Sequence, residues 1–196
     1  MMQALSNRPF LPLAVAEKLT HVVAGGIGEV LKQKYSLGKD MDIEIDKARE
    51  SETLKLLRFD SSPQEIDRLI SQLIAYNRLS PALILSSLCQ GNFQFFETAL
   101  ARLSGIPVAN ARTLIRDRGD LGFRGIYNKS GLPESLFHAV RLLLKVVHAL
   151  DEEGEKPSQS RYAARVIERI LAQSETGQPV ENLAYIVALV RRAVQP

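Results

Sequence analysis

Apolar residues recur at three- and four-residue spacing along most of the chain, and this periodicity limits the fold more than any other feature. Phe93, Phe96, Leu100 and Leu103 form one stripe, Leu136, Val140, Leu143 and Val147 a second, and Leu183, Ile186, Val190 and Val194 a third. Such spacing gathers apolar side chains on one face of a helix, and that face must be buried. The period-two alternation of a half-buried strand occurs once, over Met41–Asp46. The segment continues into Lys47–Leu57, where Ala48, Leu54 and Leu57 keep helical spacing. A lone strand is also unstable without a partner, so helix is expected there too. About ten helices are predicted, near residues 11–35, 40–57, 63–76, 81–90, 92–103, 107–117, 121–129, 133–150, 159–173 and 180–195.

The boundaries carry their own chemistry. Ser62-Pro63-Gln64-Glu65 supplies a capping hydroxyl, a proline for the first helical position and a glutamate to close a capping box. Ser80-Pro81 starts the next helix in the same way, and Ser158 or Ser160 can cap the helix holding Tyr162, Val166 and Ile170. Ser104-Gly105-Ile106-Pro107 and Ser130-Gly131-Leu132-Pro133 are the same type of tetrapeptide. In each, glycine takes the left-handed conformation that ends a helix, the apolar residue folds back and proline opens the next helix. A fainter echo relates Pro12, Leu19, Leu31 and Leu37 to Pro81, Leu88, Leu100 and Ile106. Repeated corners predict an all-α stack of antiparallel helical hairpins rather than a closed four-helix bundle. Residues 1–10 are expected as a tail, 11–150 as the helical-repeat domain and 151–158 as an acidic linker. Residues 159–196 are expected as a hairpin too small to fold alone, packed on the array or on a partner.

With 45% hydrophobic and 24% charged residues, the chain can bury a core and is not a disordered acidic or basic tail. Cys89 is the single cysteine, which excludes internal disulfides and cysteine-based zinc sites and suits the reducing cytoplasm. No apolar run approaches the roughly 20 residues of a membrane span, and the N-terminus lacks the apolar core of a signal peptide.

No catalytic signature is present: neither a nucleophile elbow nor a Walker A loop occurs. Gly25-Gly26-Ile27-Gly28 follows no strand and reads as a kink or close contact in the first helix. Asp40, Asp42, Glu44 and Asp46 superficially resemble a calcium loop, but the sixth position is Ile45 rather than glycine and the twelfth is Ser51 rather than glutamate. His21, His138 and His148 form no ligand pair, and Cys89 has no base beside it in sequence, so it reads as a buried small hydrophobe. No catalytic, cofactor-binding or metal-binding residue is predicted.

The unusual segment is 111–127, where three glycines stand among alternating charges. Residues 111–150 hold seven cations against three acids, an excess larger than the net +3 of the whole chain. Arg112 and Arg116 lie one turn apart, and Asp117 and Asp120 can cap the next helix or pair with the arginines. Two uses are open: an Arg–Asp network that fixes a corner, or a basic surface for an acidic partner, a phosphate or nucleic acid. Arg112, Arg116, Arg118, Phe123 and Arg124 are the candidate partner-binding residues.

From Arg78 to Leu150 the text is distinctive. It contains Arg78-Leu79-Ser80-Pro81, Leu88-Cys89-Gln90-Gly91-Asn92-Phe93, Ala99-Leu100-Ala101-Arg102-Leu103 and Gly105-Ile106-Pro107-Val108-Ala109-Asn110-Ala111-Arg112. Asp117-Arg118-Gly119, Leu121-Gly122-Phe123 and Gly131-Leu132-Pro133 follow. With Leu11–Leu19 and Ala48-Arg49-Glu50, it resembles a bacterial family known as a domain of unknown function and associated with HEAT-like helical repeats, over about residues 8–150. The resemblance implies a HEAT-like array and a cytoplasmic bacterial protein, either a short member or part of a longer chain, and it brings no activity, cofactor or site residue. The expected function is a non-enzymatic protein-interaction or scaffold module with an unidentified protein partner. A nucleic-acid-binding repeat using the basic 111–150 region is the first alternative, disfavoured by the modest charge excess and by Phe123 and Tyr127 being its only nearby aromatics. A small-molecule or enzymatic pocket between hairpins, holding Cys89 or a histidine, is the second. A homodimer through the C-terminal hairpin is a further way to bury apolar faces, and no membrane association is expected.

Overall fold

The computed structural model describes residues 12–19, 22, 23, 25, 26, 48, 50–54, 61–117, 119–152, 159–176 and 182–194. The 1–10 tail, the 40–46 acidic ladder, His21, Arg118 and most of the 151–158 linker lie outside the described residues, as do Leu31 and Leu37 of the longer echo and part of the glycine run at 25–28. Every regular element among the described residues is helical. The chain divides into two compact units, residues 1–72 and 73–196.

In the first unit, residues 13–19 and 50–54 are helical and bury Leu13, Thr53 and Leu54. Glu17 is also buried, and its carboxylate accepts a hydrogen bond from Gln72 Nε2. Helix α1, Pro63–Ala75, begins with a reciprocal capping box. Ser62 N–H donates to Glu65 Oε2 at 3.0 Å, and Glu65 N–H donates to Ser62 Oγ at 3.3 Å.

The second unit runs through α2 (Pro81–Cys89), α3 (Phe93–Ser104), α4 (Val108–Arg116) and α5 (Asp120–Lys129). A short 3₁₀ turn at Glu134–Leu136 leads into α6 (Phe137–Glu152), followed by α7 (Gln159–Thr176) and α8 (Leu183–Val194). Consecutive helices pack on one another from α2 to α5, as expected for a helical array. Both Ser-Gly-apolar-Pro corners turn as expected: Gly105 and Gly131 each have φ of +72°. Ile106 N–H returns to Ala101 O, closing α3. One detail differs. Pro107 and Pro133 sit just before the next helix rather than inside it, and their carbonyls accept the first bonds from Ala111 and Leu136.

Helix α2 is the centre of this unit. Its residues 83–89 are all buried, and α3, α6 and α8 pack around it. A helix buried all round has no solvent face to offer, and Ser87 within it satisfies its hydroxyl by donating to Ile84 O at 2.7 Å. The C-terminal pair α7 and α8 lies on α6, and α8 also covers α2. Asn182 Nδ2 joins the start of α8 to Ser135 O at 2.8 Å. Among the described residues no helix is long and apolar enough to cross a membrane.

Candidate functional site

Helix α4 carries its two arginines on its outer side, but neither pairs with the aspartates that follow them in sequence. Arg112 Nε donates to Glu97 Oε2 at 2.8 Å, and Arg116 Nε donates to Glu97 Oε1 at 3.3 Å. Glu97 belongs to α3, and its side chain is 2% exposed, whereas those of the arginines are about half exposed, at 47% and 55%. One buried carboxylate thus holds two guanidinium groups by their inner nitrogens and leaves their outer ends at the surface. This geometry fixes the direction of two long cations that otherwise sample many rotamers.

The aspartates serve a different arginine. Arg141 of α6 is buried, its Nε donates to Asp120 Oδ1 at 2.9 Å, and one of its terminal amino groups reaches Asp117 O at 3.0 Å and Gly119 O at 3.3 Å. It closes the turn between α4 and α5 by satisfying carbonyls that a helix end leaves open. The helices approach closely here: a methyl group on Gly122 would meet Leu114 Cδ2 at 3.0 Å. An Arg–Asp network at the corner, one of the two uses left open above, therefore exists, but Arg141 is the arginine in it.

Phe123 is placed differently from the surface role given to it above. It is fully buried, 5.5 Å from Phe137 and 5.6 Å from Tyr127, ring centre to ring centre, in an aromatic cluster under α5. The reason is periodic: Phe123, Ile126 and Tyr127 share one face of α5, and that face is the packed one. Arg124 is half-buried, with its guanidinium 4.3 Å above the Phe137 ring. Of the five candidate residues, Arg112 and Arg116 come together at an exposed surface, Arg124 stacks on the aromatic cluster, Phe123 lies inside, and Arg118 is outside the described residues. Leu121, at 87% exposed, is the most exposed large apolar side chain described and stands on α5 beside these charges.

Sequence reasoning passed over Glu97 and Arg141, although a signal existed for both. Each is a charged residue embedded in an apolar stripe, Glu97 next to Phe96 and three before Leu100, Arg141 next to Val140 and three before Leu144. A charge in that position must be paired to be tolerated.

A cleft of about 370 Å³ opens between the end of α4 and α6, lined by Arg116, Asp117, Arg141, Lys145, His148 and Glu152. The His148 ring lies 5.6 Å from that of Phe93 at the start of α3. Asp117 turns its carboxylate into the corner, where Oδ1 accepts from Gly119 N–H at 3.2 Å.

Cys89 is completely buried at the end of α2, and burial pushes its thiol pKa up. A nucleophilic cysteine needs the opposite shift. Burial likewise raises the Tyr127 hydroxyl, which donates to Pro133 O at 2.8 Å. Among the described residues no group of three or more His, Cys, Asp or Glu side chains is placed to hold a metal ion.

A family model described as an uncharacterised protein conserved in bacteria (DUF2336) matches residues 1–178, beyond the stretch that carries the resemblance noted above. No curated protein and no solved structure matches the chain.

Proposed function

We propose, for a chain that belongs to the bacterial DUF2336 family of uncharacterised proteins, a non-enzymatic role as a protein-interaction module. The observation that carries it is the clamp on α4: one buried glutamate orients Arg112 and Arg116 toward solvent. Two cations held in place lose little side-chain freedom when a partner binds, so more of the contact energy appears as affinity. Stacked hairpins supply a rigid support for such a face, and the HEAT-like character of the stack is part of the same proposal. A cytoplasmic setting accords with the free thiol of Cys89. The nucleic-acid alternative is weaker because Glu97, Asp117 and Asp120 neutralise much of the local positive charge.

The test has to respect the buried carboxylate. Removing both arginines alone strands Glu97, so the informative variant also replaces the acid with an apolar residue: Glu97→Leu/Arg112→Gln/Arg116→Gln. Affinity capture from a bacterial lysate, wild type beside this variant and with nuclease in parallel, decides the matter. A partner protein retained by wild type, lost by the variant and insensitive to nuclease is the expected result. Capture abolished by nuclease would establish the nucleic-acid alternative instead. Capture equal in both chains would remove the α4 face from the proposal.

A further inference from the structure

The cleft beside α4 has a charge pattern of its own. Arg141, Lys145, His148 and Glu152 follow one another along α6 at spacings of four, three and four, which places them on one face of that helix. Arg141 holds the end of α4 through Asp117 O, so Arg116 and Asp117 enter the cleft at the Arg141 end. Lys145 is exposed, and among the described residues no carboxylate pairs with it. The Asp117 carboxylate accepts from the Gly119 N–H and keeps its charge, so among the lining residues three cations, Arg116, Arg141 and Lys145, stand against one acid at this end, and Glu152 stands at the other.

A uniform polyanion meets Glu152 as a repulsive charge, which argues against nucleic acid or a phosphate cluster in this cleft. A segment with one charge of each sign satisfies both ends. Seven residues of helix separate Lys145 from Glu152, about 10.5 Å along the axis at 1.5 Å per residue. A peptide in the extended polyproline II conformation advances about 3.1 Å per residue with three residues per turn, so side chains three positions apart share one face and stand about 9.3 Å apart, close to that distance. The cleft volume lies at the small end of the range for ligand sites, roughly 300–1,000 Å³.

We infer that this cleft docks an extended segment of a partner protein in which an acidic side chain stands about three residues from a basic one, the acid against Lys145 and Arg116 and the base against Glu152. The inference rests on the interaction-module reading and names the chemistry of the partner.

The experiment uses the full chain and fluorescein-labelled peptides of the form Gly-Glu-(Ala)n-Lys-Gly, with n from zero to five, followed by fluorescence anisotropy. Hexaglutamate and inorganic phosphate serve as comparison probes. Saturable binding strongest with two or three intervening alanines is expected. Lys145→Glu and Glu152→Lys should each weaken it at least tenfold with melting temperature unchanged, because both side chains are exposed. The double exchange Lys145→Glu/Glu152→Lys should recover binding to the peptide with Glu and Lys transposed. Binding indifferent to spacing, tighter binding of hexaglutamate or phosphate than of the mixed peptide, or no saturable binding at millimolar concentration would each overturn the inference. Since neither substitution touches the Glu97 clamp, a partner still captured by Lys145→Glu would leave the α4 face standing while removing the cleft.

Discussion

Glu97 decides what the two arginines of α4 can do, because it is the buried member of the trio. Arg112→Gln/Arg116→Gln leaves it unpaired, and breaking a buried ion pair from one side costs about 3–5 kcal/mol, toward the lower figure here because the arginines are half exposed. Adding Glu97→Leu should restore most of that loss in urea denaturation; a triple variant no more stable than the double would show that Glu97 contributes nothing through its charge. Cys89 and Tyr127 give the residue scale a pH signature. Burial raises both folded pKa values above the unfolded ones, so their contribution is complete below the ordinary thiol value of 9.0 and drains away as pH rises beyond it. Above about pH 10, Cys89→Ala should flatten the fall in unfolding free energy by about 1.4 kcal/mol per pH unit. Native chain should also resist thiol-reactive dye until it is unfolded.

At the scale of elements, helix ends were the most legible feature of the chain. The capping box at Ser62–Glu65, the Ser80 cap that accepts from Leu83 N–H at 3.0 Å and the two glycine corners all depend on residues within five positions of each other. Local chemistry of that kind needs no tertiary context. A methyl group at Gly105 meets nothing within 4 Å, so Gly105→Ala isolates the conformational cost of φ +72°. It should lower stability by about 1 kcal/mol, read as a shift in denaturation midpoint with unchanged slope. An equal loss at Gly131→Ala, also free of contacts, would show that the two corners are energetically as well as geometrically alike.

The whole molecule brings together segments that are far apart in sequence. Helix α8 packs on α7, on α6 and on α2 about a hundred positions away, and its Ile186, Val187, Leu189 and Val190 are buried. At about 1.5–3 kcal/mol for each large side chain, that burial rivals the roughly 5–15 kcal/mol by which a domain is stable. A chain ending at residue 152 should therefore lose its cooperative melting transition and bind a hydrophobic dye. A sharp transition retained by the truncated chain would show that α2 is adequately covered without α7 and α8.

Over the described residues, the sequence alone determined the all-helical character, nearly every helix boundary from Pro63 onward and the form of the corners, because periodicity and capping are short-range and each residue type there has one favourable use. It also placed Cys89 in the core and singled out 111–127 as the unusual stretch. Only the tertiary structure decided which charges meet. Pairing of Arg112 and Arg116 with Asp117 and Asp120 was one of the readings left open, yet the arginines reach back 15 and 19 residues to Glu97, while Asp120 pairs with Arg141 from 21 residues ahead. Phe123 was read as a contact residue, and the packing of α5 on the Tyr127–Phe137 cluster put it inside. An ion pair depends on which helix faces cross in space, and no local spacing rule encodes that crossing.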